Sequence, residues 1–140
     1  MITDKLIKNG SDILKRYKIS SHLLDSEIIL SNIMNEERMN FITAEKKKIP
    51  KSKVKSFFNL IDRRTRSEPI AYIIKQKSFW KRDFIVDKNT LIPRPETELM
   101  VEKIKNHFKK SSLFILDVGT GSGCILISLL EELPRAKGIG

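Results

Sequence analysis

The chain of 140 residues contains 27 Lys and Arg against 17 Asp and Glu, which gives it a formal net charge of +10 at pH 7. The single cysteine, Cys124, excludes a disulfide framework and a thiolate metal cluster. His22 and His107 lack acidic or sulfur neighbours at ligand spacing, so no metal site is predicted. No apolar run reaches the about 18 residues of a membrane span, and the N-terminus has no signal-peptide core. A soluble, cytoplasmic protein without a membrane partner is therefore expected.

The N-terminal region carries the apolar spacing of helices. Asn9 and Gly10 are expected to weaken the middle of the first helix, and Ser20 and Ser21 are potential caps at the start of the second. A short third helix is expected over residues 35–42. The apolar residues that indicate the first two helices are Ile2, Leu6, Ile13 and Leu14, followed by Leu23, Leu24, Ile28, Leu30 and Met34 on a broad face.

Pro50 begins the most strongly amphipathic segment of the chain. Val54, Phe57, Phe58 and Ile61 follow it at spacing i, i+3, i+4 and i+7, which places them on one side of a helix. Together with the preceding helices, this segment predicts a helical bundle over residues 1–67, with one modest core.

A β-hairpin connector is predicted over residues 68–95. Phe79 and Trp80, then Phe84 and Val86, indicate two short strands with charged residues between them, and Trp80 is expected to anchor the core of the hairpin. Two prolines keep the backbone extended in the run LIPRPETE that follows, and the second proline favours the start of a helix. The expected apolar face of that helix is Leu99, Met100, Ile104 and Phe108.

The run LFILDVGTGSG over residues 113–123 joins three patterns. It begins as an apolar segment typical of a parallel strand covered on both faces, and it continues as a glycine-rich turn. A helix that begins at Ser122 or Gly123 directs unpaired N–H groups into that turn, which favours an anionic group there. The apolar side of this helix is formed by Ile125, Leu129 and Leu133.

The spacing of the glycines excludes two phosphate-binding loops. A dinucleotide loop needs a third glycine where the chain has Cys124, and a P-loop needs a lysine at a spacing that no residue after Gly119 provides. The run DVGTGSG instead resembles the first motif of the class I S-adenosylmethionine (SAM) methyltransferases, including Asp117 two residues before the first glycine. This resemblance implies that the cofactor lies against Gly119, Thr120, Gly121, Ser122 and Gly123.

A wider set of motifs narrows the resemblance. The runs EPIAYI, FW, LIPRPETE and ILDVGTGSG together closely resemble the release factor glutamine methyltransferase family, HemK/PrmC, over residues 68–140. The preceding helical segment agrees in length and type with the N-terminal domain of that family. One departure is that Ile74, Lys75 and Gln76 occupy a neighbourhood where the family usually has a glycine, which puts the local turn geometry in doubt.

The family resemblance implies an α/β protein in which residues 96–140 begin a class I Rossmann-like methyltransferase domain. It implies transfer of a methyl group from SAM to the side-chain amide of the Gln in the Gly-Gly-Gln loop of class I peptide chain release factors. The family's catalytic Asn-Pro-Pro-Tyr motif is absent, so no catalytic residue is assigned. Residues 135–140 indicate a second strand, and the acid that binds the cofactor ribose is expected beyond it. We therefore expect an inactive N-terminal fragment, or alternatively a module that a partner chain completes.

Two other functions stay open at this point. One is an adenine-N6 or other amine or amide methyltransferase that shares the glycine loop. The other is a basic helical module that binds RNA or a ribosomal partner. No aromatic residues interleave the basic clusters, as stacking on bases requires, so direct nucleic acid binding is not expected, whereas docking onto an acidic face of a release factor stays open. The clusters are Lys46, Lys47, Lys48, Lys51, Lys53 and Lys55, followed by Arg63, Arg64 and Arg66.

Overall fold

The computed structural model describes residues 1–43, 47–109 and 112–140. These residues divide into two units, Met1–Ile74 and Lys75–Gly140. The first unit is helical, and the second combines helices with two small sheets. In the described parts of the chain, no helix has both the length and the apolar character needed to cross a bilayer.

Five helices form in the described part of the first unit. They are α1 (Thr3–Arg16), α2 (His22–Met34), α3 (Arg38–Thr43), α4 (Lys51–Thr65) and α5 (Ile70–Ile74). The four helices predicted from the apolar spacing are confirmed. The third begins later than expected because Asn35, with a φ of 54°, adopts the left-handed conformation that ends α2. The short α5 follows Pro69 and was not predicted.

Gly10 does not weaken α1, which runs without a break through its position. A Cβ atom at Gly10 would lie 2.6 Å from Phe57 Cζ and 2.6 Å from Ser26 Oγ, so α2 and α4 reach α1 at this point only because the side chain is absent. Ser26 also donates a hydrogen bond from Oγ to the carbonyl of Ile7 at 2.8 Å. The glycine is therefore a packing site of the bundle, and the expected weak point is wrong.

The core of the first unit is apolar, but α2 turns a different face to it than predicted. Leu23 and Leu24 were expected to be inside and are 50% and 44% exposed. Asp25 and Ser26, the next two residues along the helix, are buried in their place. The largest fully buried side chains of this core are Leu6, Leu14, Ile29, Leu30, Phe57 and Ile61.

A buried ion pair explains the orientation of α2. The carboxylate of Asp25 accepts a hydrogen bond from Arg64 Nε of α4 at 2.7 Å, and the Asp25 side chain is only 4% exposed. Ser21 stands at the N-cap position of α2 as predicted, but its hydroxyl donates to Asp25 Oδ2 at 2.8 Å instead of capping the backbone. A buried carboxylate needs such partners, so the polar group determines which side of α2 faces inward.

The second unit begins with the predicted hairpin, which is confirmed, although Trp80 lies in the turn rather than on the first strand and Val86 follows the second strand. Strand β1 (Gln76–Phe79) pairs antiparallel with β2 (Arg82–Ile85), and Phe79 lies opposite Arg82 across a two-residue turn. A 3₁₀ turn at Pro95–Thr97 then leads into α6 (Glu98–Phe108). The remaining elements are β3 (Phe114–Leu116), α7 (Cys124–Glu132) and β4 (Lys137–Ile139), and β3 and β4 are parallel.

The apolar face of α6 differs from the predicted one. Val101 is fully buried, and Ile104 and Phe108 pack beside it, whereas Leu99 and Met100 are 59% and 41% exposed. Successive residues of a helix are about 100° apart, so Leu99 lies about 160° from Val101 around the helix and faces away from the core. Met100 is one turn before Ile104 and lies at the edge of the buried face. The inclusion of Leu99 was therefore wrong, and Met100 is at the exposed edge of the face rather than inside it.

Strand β3 was expected to be covered on both faces, and the structure contradicts this. Ile115 packs into the core beside α7, but Phe114, Leu116 and Val118 are 69%, 66% and 86% exposed. Side chains alternate along a strand, and both helices of the unit lie on the side to which Ile115 points. No described residue covers the opposite side.

The turn whose geometry was in doubt lies at Lys75, between α5 and β1. Lys75 has a φ of 58°, in the left-handed region that glycine adopts most easily. Its carbonyl accepts a hydrogen bond from Val86 N–H at 3.4 Å, which closes the open end of the hairpin. The chain therefore turns here through a strained conformation of a non-glycine residue.

Candidate cofactor-binding site

The glycine loop connects the end of β3 to the start of α7. Asp117 donates its backbone N–H to the carbonyl of Ile139 at 2.8 Å, which extends the β3–β4 pairing to the edge of the loop. Gly119, Gly121 and Gly123 then have φ values of 80°, 58° and 77°. Residues with a Cβ adopt this conformation at a cost of about 1–2 kcal/mol each, so the shape of the loop accounts for all three glycines.

The inner side of the loop is closed by its own hydrogen bonds. Gly123 N–H donates to the carbonyl of Thr120 at 2.9 Å, and Thr120 Oγ1 donates to Asp117 Oδ2 at 3.0 Å. A Cβ at Gly140 would lie 2.7 Å from Thr120 Oγ1, so the backbone after β4 passes directly behind the loop.

The outer side of the loop is open. A Cβ built on Gly119 meets no atom within 4 Å, and one on Gly121 meets only the carbonyl oxygen of Gly119 at 3.9 Å. The glycines at these positions therefore leave bare backbone facing open space. A ligand could approach the peptide groups there more closely than side chains would allow.

A polar group without a partner points to the kind of ligand that fits. The hydroxyl of Ser122 is buried and has no hydrogen-bond partner among the described residues, although most buried polar atoms in native structures have one. The loop is followed at once by α7, whose first N–H groups have no intrahelical acceptors. Hydroxyl and backbone donors beside open backbone suit a polar ligand that carries hydrogen-bond acceptors.

Helix α7 is held at its far end by a cluster of charges. Glu132 accepts hydrogen bonds from Trp80 Nε1 at 2.8 Å, Lys105 Nζ at 2.7 Å and Lys81 Nζ at 2.5 Å. The Lys105 ammonium lies 5.6 Å from the centre of the Trp80 ring. This cluster ties α7 to the hairpin turn and to α6, so the helix that begins at the loop has a fixed position in its unit.

The cluster lowers the pKa of Glu132 to about 2, because its hydrogen bonds to Lys105, Lys81 and Trp80 stabilise the carboxylate. The neighbouring Glu131 also has a lowered pKa, owing to its hydrogen bond with Arg82. Both groups are carboxylates throughout the physiological pH range, and neither is poised to exchange protons at neutral pH.

The five candidate residues, 119–123, form one continuous turn. The close packing of β4 behind that turn was not predicted from the sequence. A Cβ at Gly138 of β4 would lie 2.5 Å from Leu126 Cδ1 and 3.1 Å from the carbonyl oxygen of Ile115. The G-x-G spacing of Gly138 and Gly140 is the signal that could have found this close approach. Among the described residues, no group of three His, Cys, Asp or Glu side chains is arranged to bind a metal ion.

Comparison with known proteins identifies the family. A family model described as the PrmC N-terminal domain matches residues 5–74, half of the chain. The chain belongs to the PrmC family. Its matched segment ends at Ile74, the last residue of the first unit.

Curated relatives extend the PrmC similarity beyond the helical unit. The release factor glutamine methyltransferase of Leptospira interrogans is 39% identical over 126 residues, which cover 89% of this chain and 44% of that protein. The protein of the same name from Caulobacter vibrioides is 36% identical over 132 residues, or 94% of the chain and 46% of that protein. A bifunctional methyltransferase from Rickettsia prowazekii is 36% identical over 152 residues, or 95% of the chain and 29% of that protein. The chain thus spans about half the length of the release factor methyltransferases it matches, or less.

Proposed function

We propose that this chain is the N-terminal portion of a release factor N5-glutamine methyltransferase. The proposed enzyme methylates the side-chain amide of the Gln in the Gly-Gly-Gln loop of class I peptide chain release factors in the cytoplasm. The observation that supports the proposal most strongly is the open glycine loop. This loop occurs in a chain that is similar over nearly its whole length to proteins named release factor glutamine methyltransferase.

The proposed role of residues 119–123 is to hold SAM, which supplies the methyl group on its sulfonium. Bare backbone at Gly119 and Gly121 lets the methionyl and ribose parts come close. The Ser122 hydroxyl and the first N–H groups of α7 supply donors for the carboxylate or ribose oxygens. Thr120 is already bonded to Asp117 and serves the shape of the loop.

The proposal assigns cofactor binding to this chain but no group that holds the glutamine amide. An amide nitrogen is a poor nucleophile because its lone pair is delocalised, so transfer depends on acceptors that orient the NH₂ group. The family places these in an Asn-Pro-Pro-Tyr motif, which does not occur in the 140 residues. We expect the isolated chain to bind SAM weakly and to show no turnover.

The roles that we propose for the three parts of the chain follow the domains predicted from the sequence. Residues 1–67 recognise the substrate protein, residues 68–95 form the connector, and residues 96–140 begin the Rossmann-like cofactor domain. The unit β3–α7–β4, with parallel strands joined through a helix, is the kind of βαβ element from which such domains are built.

A chimera tests the proposal. Residues 1–140 are joined to the part of the Leptospira relative that follows its matched segment, and radiolabelled methyl transfer is measured on a purified class I release factor. Methylation of the intact release factor and not of its Gln→Ala variant in the Gly-Gly-Gln loop is expected. Equal labelling of both proteins, or labelling of DNA instead, would overturn the substrate assignment.

A variant in the glycine loop tests cofactor binding separately from folding. Gly121 has a φ of 58°, so Gly121→Val places a β-branched residue in the left-handed region and distorts the loop. The chimera with Gly121→Val should keep its far-ultraviolet circular dichroism and lose SAM binding in calorimetry. Unchanged SAM affinity would show that the cofactor does not use this loop.

A further inference from the structure

The basic residues of α4 are neutralised at one end of the helix only. Near its C-terminus, Arg64 pairs with Asp25 at 2.7 Å and Arg66 with Asp62 at 2.6 Å. Arg63 forms a bidentate ion pair with Glu68 and thereby lowers the pKa of the Glu68 carboxyl. The three arginines that looked like a binding cluster in the sequence are therefore engaged by carboxylates of their own unit.

Three lysines at or just before the N-terminus of α4 have no carboxylate partner in the described parts of the chain. Lys48, Lys51 and Lys55 are exposed, and none of them contacts a carboxylate among the described residues. We call these three residues the lysine face. Lys47 is different because its Nζ lies 2.7 Å from Glu36 Oε2. Lys46, another member of the predicted cluster, lies outside the described residues.

The lysine face concentrates positive charge where the helix already has it. The first turn of α4 contains no acidic residue, and the N-terminal end of a helix carries about half a positive charge from its aligned peptide dipoles. Lysines at this end oppose the dipole. The arrangement costs stability and raises the local positive potential, which is the combination expected of a surface that attracts an anionic partner.

The backbone beneath this face is fixed. Lys48 forms a β-bridge with Ile2, and Ile49 donates its N–H to the carbonyl of Met1 at 2.8 Å, so the segment before α4 is bound to the start of α1. The lysines of the face therefore extend from an ordered platform. The backbone under the lysines is ordered before the partner arrives, so the ordering cost of binding falls on the flexible side chains alone.

We propose that the lysine face docks an acidic surface of the protein substrate. This inference rests on the proposed function, in which that substrate is a class I release factor. Ser52 and Ser56 are exposed neighbours along α4, and Phe57 is buried. Phe58, which shares the side of the helix with Lys51 and Lys55, is half-buried and packs edge-to-face on Phe57 with ring centroids 5.4 Å apart, so the face presents no fully exposed aromatic ring for base stacking. The planar arginine forks that grip phosphate best are engaged elsewhere. A protein carboxylate surface fits this face better than RNA does.

The test measures association of the 140-residue chain with a purified class I release factor by surface-immobilised kinetics. Charged steering acts mainly on the association rate, so Lys51→Glu with Lys55→Glu should lower that rate about tenfold at low salt. The control, Lys103→Glu with Lys109→Glu, reverses two exposed lysines of the second unit and should leave the rate within about twofold of wild type. Glutamates near the N-terminus of α4 suit the dipole, so the double variant should melt no lower than wild type.

The outcomes separate the inference from the proposed function. Equal association of wild type and the Lys51/Lys55 variant, with methylation by the chimera intact, overturns the lysine face and leaves the enzyme assignment standing. If the 140-residue chain does not bind the release factor and the chimera does not methylate it, both the lysine face and the enzyme assignment are overturned. Salt-sensitive RNA binding that the same variant abolishes, without release factor binding, identifies the partner as nucleic acid and overturns the proposal.

Discussion

The indole N–H of Trp80 donates to Glu132 Oε1 at 2.8 Å and joins two residues 52 positions apart in the chain. Trp80 occupies the hairpin turn with a φ of 56°, a left-handed conformation that costs a bulky residue energy. Its backbone N–H is also bound, to Glu98 Oε1 at 3.0 Å. The strained turn is thus held by α6 and α7 together, and Glu132 is the acceptor on which the arrangement depends.

Acid should weaken the second unit through Glu132. Its pKa is about 2 in the folded chain against 4.5 ordinarily, so the unfolded chain binds the proton first as the pH falls. The stabilisation is complete above pH 4.5 and is lost between there and about pH 2. Glu132→Gln should therefore be less stable than wild type at pH 7, and the difference should shrink towards pH 2.

The measurement is thermal unfolding of both proteins across this pH range. Glu131→Gln is the matched control, since in the part of the chain that the structure describes Glu131 forms an ion pair with Arg82 alone and has a side chain that is 35% exposed. It should show a smaller effect than Glu132→Gln at pH 7. A Glu132→Gln deficit that stays constant down to pH 2 would contradict the charge cluster.

Gly10→Ala distinguishes helix propensity from packing. Propensity alone predicts that alanine stabilises the middle of α1 by about 0.5–1 kcal/mol. The new Cβ would meet Phe57 and Ser26 at 2.6 Å, and such overpacking costs about 1–3 kcal/mol. We expect a net destabilisation of about 1–2 kcal/mol, measured by urea unfolding. Asn9→Ala is the control one position away, and a gain in stability for Gly10→Ala would refute the close approach of the helices.

The hairpin and α4 could be predicted because their patterns are local. Phe79 and Phe84 stand among charged neighbours at strand spacing, and Phe57 and Ile61 are one helical turn apart, so short stretches of sequence determine both elements. The glycine loop was predictable for a similar reason. Gly119, Gly121 and Gly123 all have positive φ, and a backbone that enters the left-handed region three times within five residues favours glycine at each of those positions.

Relationships across long separations were not predictable. The inward turn of Asp25 depends on Arg64, which is 39 residues away, and it moves Leu23 and Leu24 outward. An apolar run such as that of β3 indicates a strand whose two faces suit burial. It does not indicate which other elements pack on those faces. The exposed Phe114 illustrates this.

The Asp25–Arg64 pair should be far more costly to break than to replace. Arg64→Met leaves the Asp25 carboxylate buried with the Ser21 hydroxyl as its one remaining partner among the described residues, and such a loss costs about 3–5 kcal/mol. The double variant Asp25→Leu with Arg64→Met removes both charges and should recover most of that loss. Urea unfolding of the single and double variants measures both values. A double variant as unstable as Arg64→Met would mean that the orientation of α2 does not depend on this pair.

Two buried hydroxyls without partners offer a matched test of the cofactor site. Ser122 lies in the glycine loop, and Ser128, 1% exposed, lies inside α7. Removing an unsatisfied buried hydroxyl relieves a desolvation penalty of about 1–3 kcal/mol, so Ser122→Ala and Ser128→Ala should each make the chain more stable. Only Ser122→Ala should weaken SAM binding, by about five- to tenfold for one lost hydrogen bond of about 1–1.4 kcal/mol. Calorimetric titration with SAM and thermal unfolding of the same samples measure both effects. If the two variants weaken SAM binding equally, or if neither does, Ser122 does not serve the cofactor.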